Sequence, residues 1–84
     1  MAFNYRPSVL EQLARHGIIP GPETPPEMVH DFVNSLYLVE IRTLRDKRKA
    51  GLIPSGDYAL RVAELRDRYP VLSLPLRFWT EELT

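Results

Sequence analysis

The feature that most constrains this chain is one helical pattern that runs unbroken from residue 25 to residue 50. At a rise of about 1.5 Å per residue, such a helix is about 39 Å long. A compact chain of 84 residues has a radius of gyration near 12 Å, which makes a body roughly 31 Å across. A straight helix of this length must project from that body, and something must cover the projection. Its ends are marked. Thr24 stands in the N-cap place, Pro25 fits the first helical position, and Glu27 completes a capping box. Gly51 is the stop. Lys47, Arg48 and Lys49 occupy the last turns, where the helix dipole favours cations.

Two shorter helices flank the long one. The first is expected over residues 8–16, with Ser8 and Glu11 as a capping box and Gly17 as the stop. Leu10, Leu13 and Ala14 share one face of it. Ile18 and Ile19 then lead into the rigid linker Pro20-Gly21-Pro22-Glu23. Beyond the apolar elbow Leu52-Ile53-Pro54, a third helix is expected over 55–69, ended by Pro70. Tyr58, Val62, Leu65 and Tyr69 form one stripe on it, with Asp57–Arg61 and Glu64–Arg68 as supporting pairs. The tail, 70–84, is expected to lay an extended VLSL stretch on the helices. A short last helix from Pro75 to Glu82 would carry Phe78 and Trp79. The expected fold is therefore all-α, a single domain over 1–84. It is a helical hairpin with a long central helix, braced by a short N-terminal helix and an apolar C-terminal tail. The expected hairpin core is Leu36, Leu44, Leu52, Ile53, Tyr58, Val62 and Leu65.

Composition removes several function classes. There is no cysteine, so disulfides and thiolate zinc sites are excluded. His16 and His30 lack metal-ligand spacing, and neither a metal nor a cofactor is expected. No nucleophile motif, phosphate loop or HExxH pattern occurs, so no catalytic residue and no enzyme is expected. A formal net charge of zero argues against attraction of the whole protein to nucleic acid or anionic membrane. The longest apolar run of the central helix, Leu36-Tyr37-Leu38-Val39, is far short of the roughly 20 residues that span a bilayer. The opening MAFNYRPS lacks a basic-then-apolar run, and a cytoplasmic protein is expected.

On a helical wheel of the central helix, Met28, Val29, Phe32, Val33, Leu36, Tyr37, Val39 and Leu44 fill about half the circumference, the expected core face. Leu38 and Ile41 fall outside it, on a second stripe with Asn34 and Arg45. Either the first helix or the tail covers this stripe, or it is a subunit interface. Charge favours the interface. Glu23, Glu27, Asp31 and Glu40 precede Arg42, Arg45, Lys47, Arg48 and Lys49 along the chain. The dipole accounts for much of this order, which also suits antiparallel pairing of two copies. The expected assembly is a homodimer, with its twofold near Leu38 and with Leu38 meeting Leu38 or Ile41 of the other copy. Glu40 lies within the core face and needs a cation, for which Arg61 or Arg66 of the third helix is the expected source. The basic stretch, with Arg66, could instead touch nucleic acid, although no aromatic residues interleave its cations.

One segment resembles a known family. In LRDKRKAGLIPSGDYALRVAEL, Leu44 to Leu65, the residues Gly51, Leu52, Ile53, Asp57, Tyr58, Arg61 and Leu65 match the pattern of the short C-terminal (SHOCT) domain. Pro54 stands where that family prefers a capping hydroxyl, which moves the cap to Ser55, and Val62 replaces a basic position. The resemblance covers about a quarter of the chain. It implies oligomerisation or interaction and carries no catalytic residue. The expected function is thus a small self-associating protein-interaction module, or an accessory subunit with an unidentified protein partner. The alternative is a small nucleic-acid-associated regulator.

Overall fold

The computed structural model describes residues 2–81. Three α-helices follow one another: α1, Pro7–Arg15; α2, Pro26–Lys49; and α3, Ser55–Asp67. Two 3₁₀ turns, Pro70–Ser73 and Leu76–Phe78, make up most of the tail. The helical hairpin, the long central helix and the all-α class are as the sequence predicts.

The helix starts differ from expectation. No N-cap makes a side-chain hydrogen bond: Arg6, Pro25 and Pro54 occupy those positions. Pro7 and Pro26 open α1 and α2, where the fixed φ is already helical and the missing N–H costs nothing. The Ser8 and Thr24 capping boxes therefore do not form. Thr24 Oγ1 instead accepts a bond of 3.0 Å from the Gly21 N–H and closes the linker turn. The helix ends match expectation. Gly17 and Gly51 have φ of 75° and 76°, the left-handed conformation that glycine adopts without penalty. Each makes a Schellman motif: Ile18 N–H bonds to the Leu13 carbonyl at 3.0 Å, and Leu52 N–H to that of Lys47 at 2.9 Å.

The core does not lie in the hairpin. It is built by Tyr5, Val9, Leu13, Val29, Val33, Leu65, Tyr69, Val71 and Trp79, where the two chain ends, α1 and the first half of α2 converge. Tyr5 pairs with Thr80 in an antiparallel bridge. Arg6 N–H bonds to the Trp79 carbonyl at 2.9 Å, and Glu81 N–H to that of Asn4 at 2.8 Å. Trp79 is fully buried, and its indole N–H reaches the Leu74 carbonyl at 3.1 Å. The tail thus packs on its own chain, as a 3₁₀ turn at Pro70–Ser73 where an extended stretch was expected. The expected last helix shrinks to the single turn Leu76–Phe78, and its predicted end at Glu82 lies outside the described residues.

Of the expected hairpin core, Leu65 is fully buried, Leu52 is 73% exposed, and the others are half-buried. The reason is geometric. The molecule measures 53 × 17 × 16 Å with a radius of gyration of 15.5 Å, against about 12 Å for a compact chain of this length. The second half of α2 does overhang, and only α3 accompanies it. Two helices alone shield one seam, not a volume.

These positions separate in a thermal melt. Leu65→Ala should cost about 2–5 kcal/mol and Trp79→Ala about 3–5 kcal/mol, most of the stability of so small a domain. Leu52→Ala should stay within about 0.5 kcal/mol of the parent protein. A Leu52 variant that destabilises as much as the Leu65 variant would place the core in the hairpin after all.

Candidate functional site: an exposed helix face beside a cleft

The buried side of α2 runs through Val29 and Val33, with Tyr37, Glu40 and Leu44 half-buried behind them. Three residues assigned by the wheel to the core lie elsewhere. Met28 is 62% exposed, Phe32 55% and Val39 58%. Their spacing of four and seven residues puts them on one side of the helix. The wheel was too generous, because eight apolar positions cannot all be covered when α1 is short and packs on the tail. The signal was present in that excess of apolar positions over available cover.

The expected interface residues divide. Ile41 is half-buried and packs against the core, so it belongs to the interior side. Leu38 is 41% exposed, and Asn34 and Arg45 are exposed. Leu38 adjoins the Met28–Phe32–Val39 stripe on the side that also carries Glu27, Asp31, Arg42 and Arg45, all exposed.

On the opposite side of the stripe a cleft of about 630 Å³ opens between α1, α2 and the chain after α3. Leu36 and Val39 of α2 and Pro70 give it apolar walls. Gln12, Arg15 and His16 face it from α1, and Arg68 and Tyr69 from the far side. Arg15 is held by Glu11 at 3.0 Å. The His16 ring stacks on Tyr69, with centroids 4.2 Å apart. His16 Nε2 lies 2.7 Å from the Arg68 carbonyl. That oxygen can only accept, so Nε2 carries the proton. Gln12 Oε1 is buried with no hydrogen-bond partner among the described residues.

Glu40 sits at the inner edge of this cleft, half-buried as expected, but its partner is not Arg61. Arg61 is exposed, and the Tyr69 hydroxyl donates to Glu40 Oε2. Arg61, at the middle of α3, lies beside Leu44, Lys47, Leu52 and Ile53, beyond Glu40 along α2, whereas Tyr69 follows α3 and its hydroxyl reaches back to α2. A hydroxyl satisfies a half-buried carboxylate without the desolvation of a second charge. Arg66 is exposed too. Burial, then the Glu40 carboxylate, pushes the Tyr69 hydroxyl from its usual 10.0 up to about 12. Burial also raises that of Tyr5, with Glu27 adding to it.

The remaining basic residues, Arg42, Arg45, Lys47, Arg48 and Lys49, are all exposed along the overhanging half of α2. Arg48 lies over the Tyr58 ring at 4.3 Å, a cation–π contact. Among the described residues no group of three or more His, Cys, Asp and Glu could hold a metal. No described helix is long and apolar enough to cross a membrane. Comparison with protein-family models, with curated proteins and with solved structures finds no match.

Tyr69→Phe should cost about 1–3 kcal/mol, because Glu40 keeps its burial and loses its donor. A pH series gives an independent check. Tyr69 has a higher pKa folded than unfolded, so its contribution is complete below about pH 10 and is lost as pH rises through about 12. The gap in melting temperature between wild type and Tyr69→Phe should therefore narrow from pH 9 to pH 12. A constant gap would show that the hydroxyl does not act through its proton.

Proposed function

We propose that this chain is a self-associating interaction module that forms an antiparallel homodimer through α2. The observation that carries the reading is the exposed stripe of Met28, Phe32 and Val39, bordered along one edge by charges in self-complementary order. Two antiparallel helices bring like edge against like edge, so residue i meets j and j meets i. Glu27 and Arg45 each stand nine residues from Leu36, on opposite sides. Asp31 precedes it by five and Arg42 follows by six. A twofold near Leu36 therefore sets Glu27 against Arg45 and Asp31 against Arg42, twice each. It also sets Phe32 beside Val39. A parallel pairing would turn the charged edge of each copy toward the opposite edge of the other and leave these four pairs unmade. This axis is about half a turn from the Leu38 position that the sequence suggests, because Ile41 packs inward.

The apolar stripe supplies affinity and the charged edge supplies register. Overhang and rod shape support the same reading, since a second copy would cover the part of α2 that α3 leaves bare. An unidentified protein with a similar helix would fit the same face.

Sedimentation at high micromolar concentration tests the dimer directly, and a monomer there defeats it. The charge register has its own test. Glu27→Lys with Asp31→Lys should weaken the dimer by about tenfold or more, since four favourable rim pairs become repulsive. Adding Arg42→Glu and Arg45→Glu to the same chain should restore it. Failure of the fourfold exchange to restore affinity would overturn the antiparallel register.

A second reading has one observation in its favour. Between Arg42 and Arg66 the hairpin carries seven cations against three carboxylates, and the cations are exposed. A small regulator could lay this arm along a phosphate backbone. Affinity for a random duplex that falls steeply with salt supports this reading, and no binding at low salt removes it.

A further inference from the structure

We infer that the cleft between α1 and α2 is the receptor for Phe32 of a second copy, so that each copy inserts one ring into the other. The inference rests on the antiparallel dimer proposed above and names what anchors it.

Phe32 is the largest side chain of the exposed stripe, and at 55% exposure it has no intrachain use for most of its ring. Viewed down α2, it leans from the stripe toward the Leu36 side, away from the charged edge. An antiparallel pairing keeps like edges together, so the second copy's Phe32 must arrive on the Leu36 side too. A twofold near Leu36 sets it level with Glu40, beside Val39. Those two residues, with Leu36 one turn before, are the α2 wall of the cleft. Register was fixed by the charges on one edge, and it delivers the ring to the opening on the other.

The cleft suits an aromatic ring. Its volume of about 630 Å³ admits a phenyl group together with the helix turn that carries it. Leu36, Val39 and Pro70 offer apolar contact. The stacked His16–Tyr69 pair offers an aromatic edge, which favours tilted or offset packing of a further ring. Arg15 and Arg68 stand among its lining residues, where a guanidinium can lie over the incoming ring face. A half-buried carboxylate at the inner edge, Glu40, meets the electropositive rim of a ring better than an aliphatic group. Burying a bulky anchor in a pocket beside a charged rim is how binding energy concentrates in an interface.

Phe32→Ala should weaken the dimer by at least about a hundredfold, because both anchors are lost together. The monomer's melting temperature at high dilution should not change, since Phe32 is largely exposed. Methyl resonances report the location. On dilution of wild type, Leu36 and Val39 methyl signals should move downfield as the second copy's ring leaves. In Phe32→Leu, which keeps apolar bulk without a ring, that shift should vanish even at concentrations that restore the dimer. A wild type that is monomeric at high micromolar concentration defeats both this inference and the dimer. A dimer that obeys the charge exchange yet is as tight with Phe32→Ala defeats the insertion alone. So does a wild type whose Leu36 and Val39 methyls do not move on dilution.

Discussion

Trp79 is fully buried; its indole N–H is taken up by the nearby Leu74 carbonyl, and the His30 ring of α2 lies tilted against it at 5.6 Å. Around it, residues 4–6 pair with 79–81 through backbone hydrogen bonds. The rest of the structure depends on this seam. It presses α1 onto the tail and gives Val29 and Val33 of α2 something to bury against. It also brings Tyr69 back to Glu40. A chain of this length has little core to spend, and here that core is concentrated at one end. The opposite end is left as two helices side by side.

That asymmetry explains why one face of α2 stays open. A helix is covered on as many sides as it has neighbours. Near its start α2 has the tail and the chain before α1, and further along it has α3. Among the described residues Met28, Phe32 and Val39 stay more than half exposed. Small domains commonly make up for a small core with a metal, a disulfide or another chain. Cysteine is absent, and the dimer proposed above would supply apolar area that this fold does not find within itself.

Much of the helical framework was legible in the sequence, because its signals are local. Gly17 and Gly51 mark helix ends through a backbone conformation that each adopts alone. Proline marked the start of α2 to within one residue, Pro26 and not Pro25 taking the first helical position, while at α1 Pro7 opens the helix where Ser8 was expected to cap it. A proline at the first helical position removes an unsatisfied N–H, so a capping side chain adds less there. The site was less legible because its signals are long-range. Whether Phe32 or Ile41 faces the interior depends on where α1 and the tail settle, and no periodicity within α2 records that. Glu40 is the clearest case. Its position on the wheel correctly demanded a partner. The choice between Arg61 and Tyr69 turned on how far α3 reaches before the chain folds back.

The pairing of Tyr5 with Thr80 joins positions nearly a full chain length apart. Contacts of such separation carry the greatest loop-closure cost and set the slow end of assembly. The hairpin of α2 and α3 is closed by a much shorter loop, whereas every piece that stops short of Trp79 lacks the largest wholly buried side chain of the core. During synthesis the order of events is therefore dictated by the chain's own connectivity. Trp79 is made after the whole of α2, so the core closes only once the segment bearing Phe32 and Val39 is already complete.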